Sequence, residues 1–509
     1  MIKLSSWKAI FLLCVFCAAT AIAARAQTFT TLASFDFNDG YMPWSMTLIQ
    51  GTDGDFYGTT YFGGAYGMGA VFKVTSGGEL TTLYSFCAQT GCPDGKLPNA
   101  GLVQAANGNF YGTTGQGGAN NDGTVFVITP EGELTTLHSF NGSDGANPNV
   151  GLIQASNGNF YGTTSNGGNI NACPTGPGCG TVFEITAAGQ LTTVHTFDGA
   201  DGWIPSGLIQ TSNGNFYGAT ARGGVASDIC NTGPGCGTLF EMTPTGKLTT
   251  LYSFSGGDGW SPYGGLVQGA DGDFYGTTGW GGTTNLGTVF ELTPGGQLTT
   301  LHSFDLTDGS FPTAAMIQAT DGNFYGTTTS GGPTAVYGTM NAAYGTLFKI
   351  TSGGELTTLH NFDLTDGAGP WGGLVQATDG NFYGTTINGG TGANCGPGGC
   401  GTVFSLSVGL DPFVKTEPTS GEVGATVIIV GKDLTGASRV TFNGAAAAFT
   451  VVSNSEIRAT VPAGASTGKV EVATPHGELS SNVSFQVGLR RPQRGRFPTP
   501  TPLAASACH

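Results

Sequence analysis

The octet Asp-Gly-Asn-Phe-Tyr-Gly-Thr-Thr, at Asp379–Thr386, is written seven times along the chain with little change. It recurs with Asn first at Asn107–Thr114 and Asn157–Thr164, and with Ala for one Thr at Asn213–Thr220. It also stands in Asp-Gly forms from Asp53, Asp271 and Asp321. Its Phe falls at 56, 110, 160, 216, 274, 324 and 382, at steps of 50 to 58 residues. Such a period constrains the fold strongly, because each unit is one supersecondary piece that buries its apolar face only against its neighbours.

Each unit extends beyond the octet. In the third, Gly-Leu-Ile-Gln (Gly151–Gln154) precedes it; a Gly-rich loop follows, then Gly180–Thr186, a Gly turn and Leu191–Phe197. The first stretch, short and opened by Gly, suits a crowded innermost strand A. Phe-Tyr-Gly-Thr-Thr is strand B, whose central Gly lets neighbouring units approach closely. Gly180–Thr186 alternates with the period of a half-buried strand C, and Leu191–Phe197 is an outer strand D. Asn-Gly or Asp-Gly before Phe-Tyr is the hairpin signal between A and B. Four short strands in each period predict a β-propeller with one blade per unit and seven blades in all.

The ends of the array belong together. Thr28–Phe35 reads as a strand D with no A, B or C before it, and the last unit, Gly373–Ser407, has A, B and C but no D. The N-terminal strand is therefore expected to complete the seventh blade and close the ring, removing the exposed edges.

Composition agrees with an all-β chain. Of 509 residues 89 are Gly, without a collagen period, and Thr, Val, Phe and Tyr fill the apolar runs. Residues 1–26 read as a signal peptide: Lys3 and Lys8, an apolar core over Ala9–Ala24, and an Ala-Arg-Ala cleavage site that starts the mature chain near Gln27. The apolar run is short for a membrane span, and no span is expected in the mature chain. Cleavage removes three of the 17 basic residues and no acidic one, leaving 14 against 33, a net charge of −19. That charge disfavours nucleic acid and anionic membranes as partners.

Cysteine usage fits export. Eight cysteines fall in close pairs, Cys87/Cys92, Cys173/Cys179, Cys230/Cys236 and Cys395/Cys400, separated by turn-forming residues. Short loops of this kind in an oxidising compartment read as local disulfides. A zinc reading needs CxxC-like spacing, which is absent.

The composite unit, recurring over about Thr28–Ser407, resembles the GloVer tandem repeats of secreted bacterial proteins. From Asp411 the pattern changes. Pro418–Val487 alternates apolar and polar residues over six or seven short strands, as a β-sandwich does. Its Pro-x-Ser-Gly-x-x-Gly opening, Val-x-Phe-Asn-Gly and Ala-x-Val-Pro resemble the IPT/TIG immunoglobulin-like domain, which implies a spacer or interaction module. The expected organisation is a signal over 1–26, a propeller over 27–408, an Ig-like domain over 411–488 and a disordered, basic, Pro-rich tail over 489–509.

In a propeller with this strand order the D–A and B–C loops share one face. Every D–A loop carries Asp-Gly, at Asp39, Asp94, Asp144, Asp201, Asp258, Asp308 and Asp366. Trp44, Trp203, Trp260 and Trp371 fall in D–A loops and Trp280 in a B–C loop. Flat rings on Gly-rich loops beside carboxylates such as Asp201 and Asp258 suit sugar stacking; the plainer alternative is a turn role for Asp-Gly and packing for Trp. The Asp-x-x-Asp-Gly stretches at Asp305–Gly309 and Asp363–Gly367 raise calcium, but two oxygens three residues apart fall far short of a ligand set. No cofactor is expected. His138, His195, His302 and His360 occupy equivalent strand D positions on separate units and are expected not to converge on an ion. The Gln ending each strand A is expected to satisfy backbone groups between blades.

These features predict an exported, non-catalytic binding or cell-surface interaction protein that takes an extracellular glycan or protein on the D–A/B–C face. The rival is a polysaccharide lyase or lactonase using the same face. An enzyme should break the repeat symmetry with charged residues clustered in one or two units. Only Lys73, Lys96, Arg222, Lys247 and Lys349 are basic in the whole repeat region.

Overall fold

The computed structural model describes residues 27–44, 47–169, 171, 173, 176–225, 230, 235–335, 344–392 and 394–488. The signal peptide and the tail with Cys508 lie outside the described residues.

Among these residues, seven four-stranded antiparallel sheets succeed one another between Thr28 and Ser407. Six take their strands in chain order, as in Ile49–Gln50, Phe56–Thr60, Ala70–Val74 and Leu80–Ser85. The seventh combines Val375–Gln376, Phe382–Thr386 and Thr402–Ser407 with the N-terminal strand Thr28–Ser34. That strand runs antiparallel to strand C, from Thr28 opposite Ser407 to Ser34 opposite Thr402. The A, B, C and D roles read from the sequence hold in every sheet. Strand A is two or three residues long except in the fourth sheet, where it runs over Trp203–Gln210.

Each residue of the octet has a task in this arrangement. Asp379 accepts the Asn381 amide through Oδ1 and the Tyr383 hydroxyl through Oδ2, which closes the A–B turn. Gly380 turns the chain at φ 89°, where a side chain is disfavoured. In the second sheet, a Cβ on the strand B glycine, Gly112, would stand 2.6 Å from the Phe126 ring and 2.7 Å from Leu102. In five units the first Thr reaches the next unit, as Thr327 Oγ1 does to the Gly372 carbonyl at 3.2 Å. The second holds strand C, as Thr386 Oγ1 does with Thr402 Oγ1 at 2.8 Å.

Phe and Tyr of the octet join sheet to sheet. Each strand B Tyr stacks on the Phe of the following sheet: Tyr57 on Phe110, Tyr111 on Phe160, Tyr161 on Phe216 and so on, with centroids 4.0 to 4.4 Å apart. The series returns to its start, for Tyr383 of the seventh sheet stacks on Phe56 of the first at 4.0 Å. These rings are buried, and each contributes roughly 1.5–3 kcal/mol by burial alone.

The strand A glutamines bridge the same junctions. Gln104 Oε1 accepts the Thr52 amide of the preceding unit, and Gln50 Oε1 accepts the Thr378 amide, linking the first unit to the seventh. All seven Nε2 groups donate to the Gly carbonyl of their own A–B turn.

From Lys415 the chain forms a second all-β body: two four-stranded sheets and a two-stranded parallel pair. It has ten short strands where the pattern predicts six or seven, the surplus being pieces of two to four residues. Val427, Ile429, Val440, Phe442, Ile457 and Val472 fill its core. It meets the repeat region at the A–B turns of the first and seventh sheets. There Ser455 Oγ donates to the Thr52 carbonyl at 2.8 Å and the Phe413 amide to that of Thr378 at 3.0 Å. Burial at this junction pushes Lys415 down to about 8, against the pull of Glu417 and Asp379. No helix among the described residues is long and apolar enough to cross a membrane.

Candidate functional site

The innermost strands start from loops with one shared pattern, Asp-Gly-x-x-Pro, present in all seven units. At the cavity ends of these loops lies a space of about 680 Å³ to which every unit contributes, within the range of small-molecule sites. Trp44 and Trp371 form one wall, their rings 5.1 Å apart and inclined by 57°. Tyr263, Asn99, Asn149 and Thr313 add polar groups, and Leu48, Leu102, Leu152 and Leu208 the apolar floor. No lining side chain is an acid, a Lys, an Arg, a His or a Cys, and Tyr263 is the one titratable group. Asn99 Oδ1 and Thr313 Oγ1 are buried with no hydrogen-bond partner among the described residues.

The Asp-Gly carboxylates serve the fold. His195 Nε2 donates to Asp201 Oδ2 at 2.8 Å, while Asp201 Oδ1 accepts the Asp198 amide. His138, His302 and His360 hold Asp144, Asp308 and Asp366 in the same way, and Tyr84 and Tyr252 replace the imidazole for Asp94 and Asp258. Burial raises the Asp201 carboxyl, but the His195 and Asp198 bonds outweigh it and leave it below the usual value. Among the described residues no three His, Cys, Asp or Glu side chains group as a metal site.

One lock is incomplete. In the N-terminal strand Ala33, opposite Val403, stands where His195 stands opposite Val182. Asp39 therefore has the Asp36 amide at 2.8 Å and no imidazole, and burial raises it from 3.8 to about 6. The folded chain then holds this proton more tightly than the unfolded one. The stability it contributes is full below the unfolded value of 3.8 and is lost as pH rises through about 6. Melting temperatures across that window are expected to fall with rising pH. Asp39→Asn, and Ala33→His by supplying the missing partner, are expected to flatten the fall. A profile unchanged in both variants would remove Asp39 as its source.

The profile of the Gloeobacter/Verrucomicrobia repeat matches residues 19–230 and 230–417. The chain belongs to this repeat family. In this Gloeobacter/Verrucomicrobia repeat protein an IPT/TIG domain follows, matched over residues 413–487. No curated protein matches the sequence. Among solved structures, an extracellular domain assigned to a one-component system of B. thetaiotaomicron is 11% identical, with a TM-score of 0.45 over 91% of this chain and 58% of its own. The repeat protein thus spans little more than half of that chain. A gluconolactonase of Xanthomonas campestris is 17% identical, with a TM-score of 0.37 over 62% of this chain and 90% of its own. Both likenesses are remote, and the fold described above stands on its own strand pairing.

The five loop tryptophans of the repeat protein separate into three environments. Trp44 and Trp371 follow the loop proline and line the cavity. Trp260 follows Asp-Gly, where the backbone bridges to the start of the B–C loop; it stacks on Trp280 at 5.3 Å, away from the cavity, with Trp280 36% exposed. Trp203 departs from the exposure that ligand stacking requires. It occupies the same loop position as Trp260 and makes the equivalent backbone pairing, with Arg222, but its indole is 5% exposed, covered by the Cys173–Cys179 loop. Asp201 and Asp258 face their own strand D, not the cavity. Sequence reading passed over Asn99, Asn149 and Thr313; aligning the seven loops on their proline would have found them.

All four close cysteine pairs are disulfides: Cys87–Cys92, Cys173–Cys179, Cys230–Cys236 and Cys395–Cys400. The first pins a D–A loop and the others pin B–C loops, around the loop face.

Proposed function

We propose that the repeat region is a seven-bladed β-propeller closed by Thr28–Ser34, and that the protein is an exported, non-catalytic binding protein. Its central cavity takes a neutral glycan, and its Ig-like domain, held on the opposite A–B turns, leaves that cavity open. Support for the ring comes from the Tyr–Phe stacks and Gln bonds that pass from the seventh sheet to the first. The signal read over residues 1–26 and four disulfides support export.

One observation carries the binding reading: a cavity fed by all seven units has paired indoles and amides on its wall and no charged side chain. Neutral sugars present an apolar face for stacking and hydroxyls for amides. The lyase or lactonase alternative calls for a positioned acid–base group or metal, and the lining offers a phenol alone.

The test is a glycan array probed with the mature protein, followed by tryptophan fluorescence titration. Retention of neutral glycans, unchanged after incubation, is the expected result. Release of cleavage products, or retention of acidic glycans only, would overturn it.

A further inference from the structure

Within a unit most positions repeat because the fold needs them. The position after the loop proline varies, with five residue types in seven units. It is Trp44, Asn99, Asn149, Ser206, Tyr263, Thr313 and Trp371 in the seven units, and all seven line the cavity. We infer that this post-proline position is the specificity-determining ring of the protein, and that it reads one pyranose residue of a neutral glycan, stacked on Trp44 and Trp371 with its hydroxyls on Asn99 and Thr313. This rests on the neutral-glycan reading above.

The backbone beneath the ring is the same in every unit and is held firmly. Each loop proline packs on the glycine that precedes strand C of the neighbouring unit. A Cβ on Gly123 would stand 2.7 Å from Pro148 Cδ, and one on Gly401 would stand 3.0 Å from Pro43 Cδ. In five units the strand B threonine of that neighbour binds the same loop, as Thr113 Oγ1 does to the Pro148 carbonyl at 3.1 Å. The residue before each proline is left-handed in all seven units, from Asn147 at φ 54° to Gly369 at φ 62°, and six of the seven are not glycine. Left-handed non-glycine residues cost free energy and collect where geometry serves a site. A strained backbone kept constant under a variable side chain is what a recognition platform requires.

The side chains are arranged by unit. Units seven and one, adjacent through the Tyr383–Phe56 stack, supply the indole pair. Their outer neighbours, units six and two, supply Thr313 Oγ1 and Asn99 Oδ1, the two atoms of the cavity-lining residues that are buried without a partner among the described residues. An apolar platform flanked on both sides by hydrogen-bonding groups matches a pyranose, whose ring faces are apolar and whose hydroxyls project at its edge. Asn149 already uses its Nδ2 on Ser165 Oγ, at 3.3 Å. The Trp260–Trp280 pair lies outside this ring and has no part in the inference.

Calorimetric titration with the methyl pyranosides of glucose, galactose and mannose, and with their neutral disaccharides, tests it. Trp44→Ala and Trp371→Ala are expected to weaken binding by about tenfold or more, and Trp44→Phe to retain most of it. Asn99→Ala and Thr313→Val are expected to change the rank order among the epimers, a readout that a merely structural role would not move. Melting temperature, followed in each variant, separates misfolding from lost recognition. Ring variants that fold and bind with wild-type affinity and rank overturn the inference, most plainly where Trp260→Ala or Trp280→Ala abolishes binding. A wild-type protein that binds none of the panel or of the array fails the glycan reading itself.

Discussion

Deleting Thr28–Phe35 is expected to leave no stable monomeric repeat domain. The strand it removes supplies the whole fourth strand of the seventh sheet, paired from Thr28 to Ser34 with one bulge between Thr31 and Ala33. Phe29 goes with it, stacked on His360 at 3.7 Å and against Phe404, and so does Phe35, fully buried against Phe72. Losing one buried Phe costs about 3–5 kcal/mol, and losing Phe35 together with the half-buried Phe29 and a whole strand approaches the 5–15 kcal/mol that holds an ordinary domain together. The deletion also bares strand C of the seventh sheet, Thr-Val-Phe-Ser-Leu-Ser at Thr402–Ser407, an apolar edge that invites pairing between molecules. Size exclusion should find oligomers, and the wild-type melting transition should vanish. Excess peptide of sequence Thr28–Phe35 should restore part of it. A monodisperse variant that melts at the wild-type temperature would falsify the closure.

The architecture was legible because the octet encodes it redundantly. Turn, core strand and inter-unit contact are all written in eight residues, so periodicity alone locates strand B in every sheet. The orphan strand at the N-terminus was legible for the same reason: Thr28–Phe35 carries the strand D pattern with nothing before it. The site was much less legible. Sequence proximity grouped Trp203 and Trp260 with Trp44 and Trp371, because all four lie a few residues beyond Asp-Gly. What separates them is a left-handed residue at the position before proline, which sends the side chain after proline into the cavity and leaves the one after Asp-Gly in the bridge to the B–C loop. Backbone handedness at Met42 or Ile204 is not written in residue type, since neither Met nor Ile favours it. The histidines were weighed as metal ligands that would not converge; their partners, the Asp-Gly carboxylates, lie six residues further on and were considered only as turn or ligand groups.

That redundancy also bears on how the proposed ring shares its energy. In an open array the terminal units have one neighbour each, and truncating a terminal core residue costs less than truncating an internal one. In a closed ring there is no terminal unit.

Phe56→Ala and Phe160→Ala separate these cases. Phe160, in the third unit, is 0% exposed and stacks on Tyr111 of the second at 4.1 Å. Phe56, in the first unit, is 1% exposed and stacks on Tyr383 of the last at 4.0 Å. The ring packing is thus closely similar, and the two sites differ chiefly in whether the supporting Tyr comes from the adjacent repeat or from the far end of the chain, the second body also resting on the A–B turn of the first unit. Each substitution is expected to cost about 3–5 kcal/mol, through lost burial and the cavity left behind. The costs should agree within roughly 1 kcal/mol, the scatter typical of similar core sites. Chemical denaturation of both variants, with disulfides intact, measures them. A Phe56→Ala cost well below that of Phe160→Ala would mean that the Tyr383 contact opens readily in solution, and the ring would then be an array whose ends merely meet.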